Sequence, residues 1–176
     1  MPGRVTIGLY NSYDPVKFHE SHRRALARAG PLALAFDCNL ATFGFPYDKD
    51  LSTPIEIADW ISTTTSIGES GAYLVELARK GRFSAFDFPK KGFPPQLGEV
   101  VVTTRKPDAR KTVTNAQIRD SLKHGRSVLM LFGLGPHGLP KEMFELSEKH
   151  LDVTGKGYSL ETCTALGAVV GALLSR

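Results

Sequence analysis

Two segments near the C-terminus carry residue types from which a binding pocket can be built. Val128-Leu-Met-Leu-Phe-Gly-Leu-Gly-Pro-His-Gly-Leu-Pro140 reads as a buried strand opening into a loop stiffened by prolines and glycines. Tyr158-Ser-Leu-Glu-Thr-Cys-Thr-Ala-Leu-Gly167 reads as a capped helix start rich in small residues. Glycine permits close backbone approach and unusual φ, while Pro136 and Pro140 fix their own φ. Such a loop can read a purine through main-chain donors and acceptors, without a charged cradle. The alternative is a tight strand-to-helix connection with no ligand at all.

The same loop, Gly133-Leu-Gly-Pro-His-Gly138, matches the GxGxxG pattern of dinucleotide sites, with Asp152 downstream. Two physical reasons reject that reading. A Rossmann fingerprint opens its fold, and too little chain follows Gly138 to build the remaining strands. Pro136 also removes an N–H where pyrophosphate needs donors. Glu161 could accept a proton, or could simply be a carboxylate favoured by the helix dipole. His137 is a loop histidine where a nucleoside could stack or a proton move. His19 and His22 flank Glu20, but a third metal ligand is missing, so a metal site is rejected. Tyr10, Asn11 and Tyr13 leave the first strand at the edge where α/β sheets bind ligands, and turn-forming or packing roles are their alternative.

Elements that would position these groups alternate along the chain. Val5–Tyr10 is a strand by composition, and a helix is predicted from Val16 to Ala29, with Asp14 as N-cap, Pro15 at the first helical position and Gly30 closing it. Leu32–Phe36 and Leu40–Phe43 are strand candidates, with loop or helix as the alternative for one of them. Thr53-Pro54 opens a helix over Ile57, Trp60 and Ile61; a second runs through Tyr73, Leu74 and Leu77 to Lys80 and ends at Gly81. Phe83–Phe88 and Val100–Thr104 are predicted strands. Thr114-Asn-Ala-Gln117 fits a capping box for a helix ending at Gly125. Val128–Phe132 is apolar throughout, as in a parallel strand covered on both faces. A helix over Pro140–His150, a short strand near Leu151–Val153 and a helix from Leu160, capped by Ser159, complete the chain. Cys163, Gly167 and Gly171 recur every four residues along that last helix, and two interior glycines cost roughly 1 kcal/mol each against alanine. Tight packing or a subunit interface would offset them. The alternation argues for a single three-layer α/β domain over residues 1–176 with a mainly parallel sheet.

With 176 residues and 41% hydrophobic content, the chain can bury an ordinary core. No basic stretch precedes an apolar one at the N-terminus, and the run Leu166–Leu174 is too short to cross a bilayer; a cytoplasmic location is expected. Cys38 and Cys163 lack metal-ligand spacing. The net charge of +4 is uneven. Residues 79–126 hold twelve Lys or Arg against four Asp or Glu, so the rest of the chain is net acidic. That basic third, Arg105, Lys106, Arg110, Lys111, Arg119, Lys123 and Arg126 above all, could track an RNA backbone or be a solvated face.

Phe132-Gly-Leu-Gly-Pro-His-Gly-Leu-Pro140 resembles the FGxExxGLP phrase of the TrmH and YibK branches of the SPOUT superfamily, the trefoil-knotted S-adenosylmethionine-dependent RNA methyltransferases. Ser159-Leu-Glu-Thr-Cys-Thr-Ala-Leu-Gly-Ala168 is similar to their S-L-N-V-S-x-A-x-G-I phrase at the Ser, Leu, Ala and Gly positions. Arg24-Ala-Leu-Ala-Arg-Ala-Gly30 loosely echoes an N-terminal R-T-A-x-x-x-G, and the whole looks closest to an uncharacterised archaeal family of that superfamily. The resemblance implies a C-terminal knot, a homodimer joined through the last helix, and methylation of tRNA or rRNA. It implies cofactor contacts from Leu131, Gly133, Gly135, His137, Gly138, Leu139, Ser159, Leu160 and Cys163. It also implies Arg24 as the catalytic arginine; Glu161 is a second catalytic candidate on its own chemistry, not through the resemblance. Departures stand beside it. Phe18 takes the place of an Asn found in ribose 2′-O-methylating members, and Glu161 and Cys163 replace the third motif's Asn and Ser. The missing Asn and the Glu161 substitution favour, as the alternative, a module that binds cofactor or nucleoside without transferring methyl groups; a third possibility is an assembly factor acting through the Gly167/Gly171 helix.

Overall fold

The computed structural model describes residues 1–64 and 70–175. Strands and helices follow in the order β1 (Val5–Asn11), α1 (Glu20–Ala35), β2 (Asn39–Phe43), α2 (Pro54–Thr64), α3 (Ser70–Arg79), β3 (Phe83–Phe86), β4 (Glu99–Thr104), α4 (Asn115–Lys123), β5 (Val128–Leu134), α5 (Lys141–Leu146), β6 (Lys149–Asp152) and α6 (Thr162–Leu174). The strands form one parallel sheet in the order β3-β2-β1-β5-β4-β6. β1 and β5 lie at its centre, where the strand order reverses, so the chain leaves their carboxyl ends in opposite directions and opens a crevice there.

The predicted three layers are present but unequal. One face of the sheet buries Val5, Ile7, Leu9, Leu40, Val101, Met130 and Phe132 against α1, α2, α3, α4 and α6. The other face, with Tyr10, Ala41, Phe43, Val102, Leu129 and Leu131, is covered by Leu139, Met143 of α5, and Phe93 and Leu97 of the segment that carries a single 3-10 turn at Pro95–Leu97. Aromatic side chains do there what helices do on the first face: Phe93 meets Phe43 edge-on at 4.9 Å and Phe88 tilts over Tyr10 at 5.4 Å. Among the described residues no helix is long and apolar enough to cross a membrane.

Several local expectations hold for the stated reasons. Thr114 Oγ1 accepts from Gln117 N–H at 3.2 Å while Gln117 Oε1 accepts from Thr114 N–H at 2.9 Å, a reciprocal capping box. Thr53 Oγ1 accepts the Glu56 N–H at 3.2 Å, and Gly81 and Gly125 take positive φ after α3 and α4.

The first helix departs from expectation at both ends. Asp14 does accept the N–H groups of Val16 and Lys17 at 2.8 and 3.0 Å, but helical backbone starts only at Glu20, with His19 as N-cap. The Nδ1 of His22 takes the His19 N–H at 3.0 Å, so the reciprocal partner that favours a start lies there and not at Asp14. Gly30 does not end the helix. α1 runs on through Pro31, and of the two strand candidates Leu32–Phe36 takes its helical alternative over residues 32–35. Gly30 is instead a crossing point: a Cβ there would stand 3.1 Å from the backbone of Leu74 on α3. The stop comes at Asp37, φ +56, with Cys38 N–H on Ala33 O at 2.9 Å in the six-residue closure of a Schellman turn.

The expected strand Phe83–Phe88 stops at Phe86, and β5 extends two residues past Phe132. The helix expected over Pro140–His150 is cut to Lys141–Leu146. Ser147 Oγ donates to Val100 O at 2.8 Å and turns the chain back into the sheet as β6. Because α1 and α3 touch through Gly30, Gly30→Val is expected to lower stability by about 1–3 kcal/mol by overpacking. Urea unfolding with an unchanged m-value is the check.

Candidate functional site

A cleft of about 910 Å³ opens at the carboxyl ends of β1, β4, β5 and β6. It is lined by the 133–139 loop, by Ser21 and Arg24 of α1, by the first turn of α6 and by Thr103 to Lys106. Of the residues singled out in the sequence, Arg24, Gly133, Gly135, His137, Gly138, Leu139, Ser159, Leu160, Glu161 and Cys163 all line this one cleft. Leu131 does not. It is fully buried in the sheet, and its carbonyl accepts the Thr103 hydroxyl at 2.9 Å.

The end of β5 is held from two sides. Thr162 Oγ1 donates to Gly133 O at 2.9 Å, and Ser12 Oγ donates to Leu134 O at 3.0 Å. These bonds tie the start of α6 and the end of β1 to the same strand. The glycines serve the loop's own folding rather than the approach of a ligand. A Cβ on Gly133 would lie 2.7 Å from the carbonyl carbon of Gly138, and one on Gly135 would lie 3.0 Å from Ser12 O with φ at +140°. Gly138, φ +69, has no such neighbour and is free to turn the loop.

Ser159 is not the cap of α6. Helical backbone starts at Thr162 because that residue is anchored to Gly133, and Glu161 becomes the N-cap, accepting the Thr164 N–H at 3.2 Å. Partial burial pushes the Glu161 carboxyl up, but the bonds from Cys163 and Thr164 outweigh it and hold the group below its ordinary value. A carboxylate so engaged is poorly matched to a general base. Burial and the Glu161 charge push the Cys163 thiol up against the opposing pull of Arg28, so the thiol stays protonated. Arg24 sits exposed on the cleft face of α1, one turn after Ser21.

Beside the cleft, the end of β1 holds a buried polar knot. Asn11 Nδ2 donates to Asp14 O at 2.7 Å and Gly44 O at 2.9 Å; its Oδ1 accepts from Tyr13 N–H and from His22 Nε2–H, at 3.1 and 3.0 Å. The His19 N–H on Nδ1 fixes that His22 tautomer, so both ring nitrogens are occupied. Among the described residues no three His, Cys, Asp or Glu side chains gather as a metal site.

The basic third of the sequence does not form one surface. Arg79 to Lys91 belong to the β3 edge, Arg105 to Lys111 follow β4 across β2, β1 and β5 from it, and Arg126 adjoins Gly3 at the amino end of β1. Several of these cations also pin backbone. Lys111 Nζ donates to Phe144 O and Ser147 O at 3.3 and 3.0 Å, and Arg119 Nη1 to Ala172 O at 2.6 Å. Arg105 and Lys106 are the members that reach the cleft. Tyr158, Thr103 and Thr104 also line it, and sequence reasoning gave them no role; the position of Tyr158 beside Ser159 was the available signal.

A family model described as protein of unknown function, DUF531, matches residues 5–174. The chain belongs to that family. A DUF531-like relative, the uncharacterized protein MJ0224 of Methanocaldococcus jannaschii, is 45% identical over 166 residues, 94% of this chain and 90% of the relative. The fold of this chain is similar to that of solved SpoU/TrmH-type methyltransferases. A probable methyltransferase from Bordetella pertussis Tohama I superposes with a TM-score of 0.64 at 14% identity, over 97% of this chain and 94% of its own. The TrmH/SpoU tRNA modifying enzyme of A. aeolicus gives 0.55 at 14%, over 98% and 76%. An AdoMet-bound rRNA methyltransferase from Sinorhizobium meliloti gives 0.52 at 16%, over 98% and 56%. At such identities the likeness is one of fold.

Burial, and after it the neighbouring His19, pushes the His22 imidazole down to about 4. Its folded value lies below the ordinary 6.5, so the unfolded chain takes the proton first. The stabilisation is therefore whole above pH 6.5 and drains as pH falls toward 4, by roughly 3 kcal/mol. His22→Gln, which keeps an acceptor and a donor without titrating, is expected to flatten that decline in denaturant melts at stepped pH.

Proposed function

We propose that this DUF531 protein is an S-adenosylmethionine-dependent RNA methyltransferase acting on tRNA or rRNA, as a homodimer, with a trefoil knot formed where residues 153–161 return to the β5 loop. One observation carries the reading: the two C-terminal motif segments and Arg24 converge on a single cleft. The AdoMet-bound neighbour and the tRNA-modifying neighbour of the same fold support it.

The residues present fit the cofactor. Phe132, Leu134, Leu139, Leu160 and Ala165 offer apolar surface, the 133–139 and 159–163 backbones offer main-chain donors and acceptors, and no phosphate cradle is built. A volume of about 910 Å³ leaves room for a nucleoside beside it. When bound, the sulfonium supplies an electrophilic methyl group. The protein's own work is alignment: the loop and α6 start are locked together through Gly133 and Thr162, and Arg24 meets the RNA from α1.

The dimer reading rests on the outer face of α6. A Cβ built on Gly167 or Gly171 meets nothing within 4 Å, so nothing inside the chain compensates for two helix glycines. A second copy packed there would. A binding-only role has one observation in its favour: Glu161 is spent as a helix cap and is held ionised.

Titration calorimetry with S-adenosylmethionine is expected to give micromolar binding. Ser159→Trp, which fills the cleft from an exposed position, is expected to weaken it at least about tenfold. Arg24→Ala is expected to keep that affinity and lose methyl transfer to unmodified tRNA or rRNA. Intact binding without any transfer by the unaltered protein would leave the binding-only role; absence of binding at millimolar cofactor sinks both. Sedimentation should show a dimer that Gly167→Trp converts to monomer.

A further inference from the structure

We infer that the outer half of the cleft is a stacking platform for an unpaired nucleotide of RNA, made by Tyr158 with Arg105 and Lys106. The inference rests on the methyltransferase reading of the cleft and adds the form of RNA it takes. Tyr158 is 69% exposed, the most exposed aromatic ring among the described residues, yet it lines a cleft instead of standing on an open surface.

Its backbone is held in place. Asp152 Oδ2 accepts the Gly157 N–H at 2.9 Å, and Thr154 Oγ1 accepts the N–H groups of Lys156 and Tyr158, each at 3.2 Å. Gly155 and Gly157 take φ of +67° and +75° to close the turn. An exposed ring on a hydrogen-bonded turn is pre-organised, so a ligand orders little on binding.

The neighbouring charge selects the ligand. A Cβ built on Gly157 would be 3.7 Å from Arg105 O, so the Tyr158 turn lies against the strand end that carries Arg105 and Lys106. With Arg24, the cleft lining holds three cations against the single carboxylate of Glu161, which is already engaged as the N-cap of α6. An aromatic face flanked by cations suits a base and its phosphates. In a duplex both faces of each base are covered by stacking, so such a ring has a target only where a nucleotide is unpaired. An acidic peptide would use the cations and leave the ring idle.

The test reads RNA binding alone, without cofactor, by fluorescence anisotropy of a labelled oligouridylate, an oligoadenylate and a duplex of equal length. The single strands are expected to bind more tightly than the duplex. Tyr158→Ala should weaken them about tenfold or more, while Tyr158→Phe, which keeps the ring, should stay within about twofold. Arg105→Ala should weaken binding and flatten its salt dependence. Indifference to Tyr158→Ala, equal or tighter duplex binding, equal competition by polyglutamate, or no RNA binding at all would each overturn the inference. Tyr158-dependent binding of single strands with no cofactor binding would sink the methyltransferase reading and leave the platform standing. Normal cofactor binding with Tyr158-independent RNA binding would do the reverse.

Discussion

The carboxyl end of β5 is the constraint from which the site follows. Gly133 and Leu134 offer carbonyls beyond the sheet, and these are taken by the hydroxyls of Thr162 and Ser12. Three distant stretches of chain are joined there, the end of β1, the β5 loop and the start of α6. Gly133 has no side chain because the loop folds back to within van der Waals distance of it. The cleft exists because those strands diverge at the point where the sheet order reverses.

Polar groups near the cleft divide into those that hold the structure and those left free. His22, Asn11, His150 and Lys111 are satisfied by backbone and by one another, which is what burial of polar atoms requires. Glu161 belongs with them, since its charge completes the first turn of α6. Arg24, Arg105, Lys106 and Tyr158 face the cleft without such duties. This division explains why a sequence rich in candidate acids and bases leaves the cleft lined by free cations and one engaged carboxylate.

The lopsided layering has the same economy. Five helices shield one face of the sheet, and the aromatic residues of the 87–98 segment with the short α5 shield the other. Parallel strands need cover on both faces, but the cover need not be helical. A thin second cover leaves Thr103, Thr104 and Val153 at the ends of β4 and β6 among the residues that line the cleft.

Much of this was legible in the residues themselves. Parallel α/β class, most strands, the Thr114 and Thr53 caps and the pairing of the two C-terminal segments follow from periodicity, capping chemistry and motif spacing, all local properties. The true start of α1 was not legible, because His22 caps it through a tertiary pocket shared with Asn11. Nor was its end: Gly30 and Pro31 are helix breakers in isolation, and contact with α3 overrides them. The cap of α6 moved from Ser159 to Glu161 because an anchor on β5 decided where helical backbone begins. The basic stretch looked continuous, yet the sheet order puts its Arg79–Lys91 and Arg105–Lys111 parts three strands from one another, and several of its members are engaged in backbone bonds. Sequence alone determined what each segment could form. Tertiary structure decided which groups were consumed in holding it together and which remained free for a ligand, because hydrogen-bond satisfaction and burial depend on neighbours far along the chain.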